Sequence, residues 1–262
     1  MIDTHEIMVN FENWGIRPIL FSFWDFDIPS HAFFTLLGLI VGLLFFYYEA
    51  RKNKVIGENT FYLLVAALVG GVIGAKIPIL ILEYKYILAN FPNISPIIFS
   101  GKTITGGLVG GFLAVILIKK ILNIKVKRGN LFAPAIAIGV AIGRIGCFLR
   151  GDAYGIPTSL PWGVNFGDGV MRHPTQIYES VFMLGMFFYF QHAKTKNPAP
   201  GVLFENLMIF YFIFRFFIEF IRVEKVIFLG LTLFQLISLV VVIYFLAIKS
   251  KTFINKKKVN NL

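Results

Sequence analysis

The chain has 262 residues, of which 57% are apolar and only 15% charged, and its mean hydropathy is +0.75. A soluble protein of this size carries about a quarter of its residues as charges, so the composition excludes one or two water-soluble domains and demands apolar surface facing lipid. The net charge of +11 does not point to nucleic acid, because the excess cations fall in the connections between apolar runs, where membrane topology places them.

The first 30 residues hold Asp3, Glu6, Glu12, Asp25 and Asp27, with Arg17 their one Lys or Arg. Without a basic leading region they do not read as a signal peptide, and no cleavage is expected. A span needs about 17–25 mainly apolar residues to cross a hydrocarbon core of about 30 Å. Seven are predicted: His31–Tyr48, Phe61–Leu82, Ile104–Ile118, Leu131–Phe148, Gln176–Phe190, Gly201–Ile221 and Val226–Ile248. The expected fold class is therefore all-α and polytopic. It has an extracytoplasmic segment over 1–30, a seven-helix membrane domain over 31–248 and a basic cytoplasmic tail over 249–262. No repeat, linker or second domain interrupts it, and the single Cys147 excludes an internal disulfide.

Orientation follows from the cations in the short connections. One set holds Arg51, Lys52, Lys54, Lys119, Lys120, Lys125, Lys127, Arg128, Lys194, Lys196, Lys249, Lys251, Lys256, Lys257 and Lys258. The other holds Arg17, Lys85, Lys102, Arg150, Arg172, Arg222 and Lys225. Fifteen against seven, alternating in step with the spans, places the first set in the cytoplasm and the N-terminus outside.

Ionisable residues inside a membrane are costly and mark function. Lys76, Arg144, Glu179, Glu205, Arg215 and Glu219 fall within the predicted spans. In the sixth, Tyr211, Arg215, Glu219 and Arg222 are spaced four, four and three apart, which predicts one polar face on an aromatic helix. The plainer reading is that Arg215 and Glu219 satisfy each other. The fourth span closes on GRIGCFLRGDAYG, Gly143–Gly155, preceded by Ala135, Ala137, Gly139, Ala141 and Gly143, small residues that let helices approach closely. For Arg144 the alternative is a cation snorkelling to the interface. Pro157, Pro161 and Trp162 mark an irregular outer segment. SGKTITGGLVGG, Ser100–Gly111, together with Gly70, Gly71 and Gly74, reads first as helix packing; glycine-rich N–H groups at a helix start also bind anions. His173-Pro174-Thr175-Gln176 enters the fifth span, with Tyr178 and Glu179 just inside. Guanidinium groups pair with phosphate and keep their charge on burial. The arginines and carboxylates in the outer half of the bundle thus predict a site for an anionic headgroup.

These blocks resemble the prolipoprotein diacylglyceryl transferase family. GRIGCFLRGDAYG is similar to its GRxGNFxNxExxG signature, RHPTQIYE (Arg172–Glu179) to its RHPSQLYE, and YFIFRFFIEFIR (Tyr211–Arg222) to its Tyr, Arg, Glu and Arg at the same spacing. TGGLVGG, from Thr105, falls where the family has HGGLxG. Order and helix plan agree over nearly the whole chain. The resemblance implies a multi-pass protein of the bacterial cytoplasmic (inner) membrane. It would move the diacylglyceryl group of phosphatidylglycerol onto the lipobox cysteine of a prolipoprotein signal peptide, with no cofactor or metal. Arg144 and Arg215 would be phosphate ligands, Tyr211, Glu219 and Arg222 would shape the seam, and Gly155 the loop. The catalytic candidates are thus Arg144, Arg215, Asp152 and Tyr211. The substrate-binding candidates are Arg144, Arg215, Glu219, Arg222, Gly106, Gly107, Gly155 and His173.

The departures from the family pattern bear on the reaction. Thr105 stands where the family has the histidine often assigned as the base, and a hydroxyl cannot take a proton near neutral pH as imidazole does. Cys147 and Arg150 replace two asparagines, Asp152 a glutamate, Phe33 a tyrosine and Lys76 an arginine. Either another group, with His31, His173 and Asp152 the replacements at hand, serves as base, or the chain is a divergent paralogue that binds anionic phospholipid or modifies a different acceptor. An anion or lipid transporter would use similar arginines, but no paired halves are present to match it.

Overall fold

The computed structural model describes residues 16–24, 26–93 and 103–260, with only the backbone course given for 251–260. Asp3, Glu6, Glu12 and Asp25, and the Ser100–Lys102 approach to the third predicted span, lie outside the described residues. Eight helices appear among the described residues: α1 Ser30–Lys52, α2 Glu58–Leu82, α3 Tyr84–Asn90, α4 Ile104–Ile121, α5 Gly129–Arg150, α6 Thr175–Lys194, α7 Val202–Ile218 and α8 Leu233–Asn260. Three two-stranded antiparallel hairpins join them: β1 Ile19–Phe23 with β2 Phe26–Pro29, β3 Val164–Asn165 with β4 Met171–Arg172, and β5 Val226–Phe228 with β6 Leu231–Thr232. Among the described residues five helices, α1, α2, α4, α5 and the Leu233–Ser250 part of α8, are long and apolar enough to cross a membrane. The chain is an all-α polytopic membrane protein. Its last helix starts at Leu233 rather than at the expected Val226. Leu229 and Gly230 adopt positive φ angles of 50° and 75°, which close a hairpin in place of a helical turn.

Two compact units are formed. The first comprises the described residues within Met1–Phe46, Ala133–Lys196 and Phe217–Lys225. In it α1 lies against α5 through small residues. A Cβ on Gly38 would strike the Gly139 carbonyl oxygen, and one on Gly42 would stand 3.0 Å from that of Ala135. Gly146, one turn before the end of α5, faces Phe34 and His31 at 2.8 and 3.1 Å in the same sense. Close backbone approach replaces a hydrophobic driving force that lipid cannot supply. Ser180 Oγ donates to the Ala141 carbonyl at 2.7 Å and ties α6 to α5.

The second unit comprises the described residues within Tyr47–Phe132, Asn197–Phe216 and Val226–Leu262. Its centre is the α2–α4 crossing, where Gly70 and Gly74 meet Gly106 and Gly110 backbone to backbone. Thr103 caps α4: its Oγ1 accepts from the Gly106 N–H at 3.2 Å and donates to the Ala75 carbonyl at 3.1 Å. Asn130 clamps the approach to α7. Its Nδ2 donates to the Pro198 and Ala199 carbonyls, and its Oδ1 accepts from the Gly201 and Leu203 N–H groups, at 3.0–3.2 Å.

Candidate active site

Arg144 sits in the penultimate turns of α5, 8% exposed, and its Nη2 lies 2.6 Å from Oε2 of Glu179, 1% exposed in the first turns of α6. Nη1 reaches the Cys147 sulfur at 3.7 Å. Taking both charges out of water is repaid only when the geometry is good, and the α5–α6 contact fixed by Ser180 supplies that geometry. Glu179 therefore orients a planar group with five N–H donors. Glu179 is the residue whose role is missing from the sequence reading. Its position inside a span is visible there, but the pairing joins residues 35 apart (179 − 144) on two helices.

The chain leaving α5 turns on Gly151 and Ala153, at φ 78° and 61°. Its half-buried carbonyls are collected by side chains of the segments packed against it. Gln176 Nε2 donates to the Asp152 carbonyl, while Thr175 Oγ1, at 2.7 Å, and Arg222 Nη1, at 3.0 Å, donate to that of Ala153. Gly155 donates to the His173 carbonyl and Ile156 to that of Ile221, both at 2.9 Å. A Cβ on Gly155 would lie 2.5 Å from the Ile221 oxygen and 2.7 Å from His173 Cβ, so only glycine fits at this junction. Arg222 also holds Glu224 at 2.8 Å and lies 3.8 Å from Glu219.

These contacts correct the expectation of one helical stripe through Tyr211, Arg215, Glu219 and Arg222. The α-helix ends at Ile218, Glu219–Ile221 tighten into a 3-10 turn, and Arg222 is extended, at φ −91° and ψ 153°. The Ile221 carbonyl is drawn off by Ile156 and the Arg222 backbone bridges to Gly155, which stops the helix a turn early.

Asp152 is ion-paired with Arg150, both side chains about two-fifths exposed. The pair stands where the family pattern has a glutamate and an asparagine. His173 Nδ1 is 3.2 Å from the Tyr178 hydroxyl, which accepts from Trp162 Nε1 at 2.8 Å. Further out, Arg172 donates to Asp168 at 2.7 Å and lies over the Tyr154 ring at 5.1 Å. That hydrogen bond holds the Asp168 carboxyl below its ordinary value.

Arg144, Asp152, Gly155, His173, Glu219 and Arg222 thus belong to the first unit. Tyr211, Arg215, Gly106 and Gly107 belong to the second. There Tyr211 is fully buried, and the buried Arg215 guanidinium lies 5.0 Å over the Phe234 ring. Gly106 and Gly107 face α2 at Gly74 and Gly71, and the Gly106 N–H is already given to Thr103. Thr105 is buried beside them.

Residues 18–249 match the family model described as "Prolipoprotein diacylglyceryl transferase". The chain belongs to the prolipoprotein diacylglyceryl transferase family. It is 36% identical over 232 residues to the phosphatidylglycerol–prolipoprotein diacylglyceryl transferase of Finegoldia magna, covering 86% of this chain and 91% of that one. With the protein of the same name from Clostridioides difficile it shares 31% over 245 residues, 93% and 98% of the two chains. With that of Geobacter sulfurreducens it shares 30% over 217 residues, 79% and 82%. Each signature block read from the sequence falls inside the matched span. In this family member the signature block is built into a buried Arg144–Glu179 pair followed, beyond the end of α5, by a hydrogen-bonded loop.

Proposed function

We infer that this chain transfers the diacylglyceryl group of phosphatidylglycerol to the lipobox cysteine of a prolipoprotein, as the proteins it resembles are named for doing. The observation that carries the reading is the buried Arg144 guanidinium, oriented by Glu179 within the family-matched span. The thiol attacks the glycerol carbon that bears the phosphate. A C–S bond forms, the C–O bond breaks, and the electron pair leaves with glycerol phosphate. Arg144 binds the phosphodiester and stabilises charge on the departing phosphate. Arg215 is the second expected phosphate ligand, from its place in the matched sequence. Gln176, Thr175 and Arg222 hold the Asp152–Ala153 carbonyls and so set the loop beside Arg144.

The proposed topology has seven spans, α6 and α7 crossing together with α1, α2, α4, α5 and α8, the N-terminus outside the bacterial inner membrane and the C-terminus in the cytoplasm. The lysines and arginines after α1, α4 and α6 support it. For the thiol proton, Asp152 is the weakest of the replacement bases because Arg150 already occupies its carboxylate. His31 and His173 are left, and His173 is already oriented by Tyr178. Thr105 in place of the family histidine favours one other reading, a paralogue that binds phosphatidylglycerol without lipidating this acceptor. The test is to supply phosphatidylglycerol and a lipobox peptide to membranes of transferase-depleted cells carrying this chain. A diacylglyceryl mass gain on the cysteine supports the transferase. No gain with the chain inserted and folded overturns it in favour of the paralogue.

A further inference from the structure

The β1–β2 hairpin carries Phe23, Trp24 and Phe26 at its end, 72%, 91% and 79% exposed. Trp24 adopts φ 56°, a left-handed conformation that a glycine or asparagine adopts readily and a bulky aromatic residue rarely does. The backbone at this turn therefore gives no reason for tryptophan, and the reason lies in the side chain. The Phe23 and Trp24 rings stack at 6.2 Å, which pairs two aromatic rings at the end of the hairpin.

The hairpin is fastened at its base. Ser30, the first residue of α1, donates its N–H to the Pro18 carbonyl at 2.8 Å and its hydroxyl to that of Arg17. The Phe21 ring meets Phe33 edge-on at 5.8 Å. The Arg17 N–H donates to the Leu149 carbonyl at 2.6 Å, which ties the same hairpin to the end of α5. Leu149 is five residues beyond Arg144, about 7.5 Å along a helix axis. The exposed apolar surface runs from Phe21 to Phe33 and on through Leu36, Ile40 and Leu44 of α1, a face that a membrane span turns toward lipid.

We propose that the β1–β2 hairpin is a bilayer anchor: Phe23, Trp24 and Phe26 seat in the headgroup layer where α1 begins, and the hairpin thereby holds the end of α5, with Arg144, at the depth of the lipid phosphates. Trp24 favours this layer because its ring is apolar while its indole N–H reaches water, and the apolar Phe23 and Phe26 rings beside it lie against the acyl chains just beneath. Continuity with the lipid-facing side of α1 identifies the occupant as the bilayer rather than a protein.

The test uses the full chain with Trp14 and Trp162 replaced by phenylalanine, leaving Trp24 as the sole tryptophan, in phosphatidylglycerol-containing nanodiscs. Lipids brominated near the head of the acyl chain are compared with lipids brominated near its end. The expected result is a blue-shifted Trp24 emission, quenched more strongly by the shallow bromines. Water-like emission with no quenching by either lipid overturns the proposal, and so does quenching that is lost on adding a competing soluble protein fraction. This readout needs no turnover, so it is independent of the transferase reading. A second arm substitutes Phe23, Trp24 and Phe26 together by serine. Lipidation should fall several-fold with bilayer phosphatidylglycerol and be restored when the lipid is given in detergent micelles. An equal loss in both would contradict depth-setting.

Discussion

Replacing Gly155 with alanine is the sharpest structural perturbation of the loop that follows the Arg144 helix. The new methyl would stand 2.5 Å from the Ile221 carbonyl oxygen, 2.7 Å from His173 Cβ and 3.0 Å from Thr175 Cγ2. None of these is the far end of a flexible side chain. The Ile221 oxygen is held by Ile156 and the His173 carbonyl by Gly155 itself, each at 2.9 Å. Relief requires the backbone to shift, at a cost of about 1–3 kcal/mol. Gly185 in α6 is the control, because a Cβ there meets nothing within 4 Å. Its replacement by alanine should be neutral or gain up to about 1 kcal/mol from helix propensity. The two alanine variants should therefore differ by about 1–4 kcal/mol, read by thermal unfolding in one detergent. Movement at Gly155 also displaces the Ala153 carbonyl held by Thr175 and Arg222, so lipidation should fall about 10–100-fold, as for a small misplacement of catalytic groups. Gly155→Ala as stable and as active as Gly185→Ala would refute the reasoning.

Three further outcomes follow from named contacts. Glu179→Gln keeps the shape beside Arg144 but removes its charge; stability should drop by as much as about 3–5 kcal/mol, and turnover should fall more than the KM for lipid rises. Unchanged kinetics would exclude an orienting role for Glu179. Asn130→Ala removes four hydrogen bonds at the approach to α7 and should lower stability by about 2–4 kcal/mol, at roughly 1 kcal/mol per bond with partial rescue by water, leaving the lipid KM within about twofold; a change in KM without loss of stability would contradict a purely structural clamp. Arg172 lowers the folded-state pKa of Asp168. This pair therefore adds stability above the ordinary carboxylate value of 3.8 and loses it as pH falls through the lower folded value. Asp168→Asn should flatten that acid limb of a denaturation profile; an unaltered limb would show that the pair is not formed in solution.

Much of this was legible in the sequence because membrane spans announce themselves through local hydropathy. The bounds expected for α1, α2, α4 and α5 lie within a few residues of those observed, and the small residues Ala135 and Gly139 do face α1. The misplaced boundaries lie where competing hydrogen bonds decide. Val226–Phe228 is apolar enough for a span, but the positive φ of Leu229 and Gly230 folds it back as a hairpin. The spacing of Glu219 and Arg222 suits a helix until Ile156 captures the Ile221 carbonyl. Periodicity cannot report such a contact, which joins segments 65 residues apart (221 − 156). The Arg144–Glu179 pair was hidden for the same reason. For Gly106 and Gly107 the two readings of a glycine-rich helix start were open in the sequence. In the structure these glycines face α2, with the first amide capped by Thr103.

The central claim, that lipid transfer is centred on Arg144, is tested most directly by one measurement. Purified chain in phosphatidylglycerol nanodiscs is given a lipobox peptide, and peptide lipidation and glycerol phosphate release are counted together by mass spectrometry. Wild type should give the two products in equal amounts. Arg144→Lys should give both at a rate reduced by about two orders of magnitude or more, since a point charge cannot replace the bidentate fork. Full activity in Arg144→Lys and Arg144→Ala, with both proteins folded, would contradict the claim.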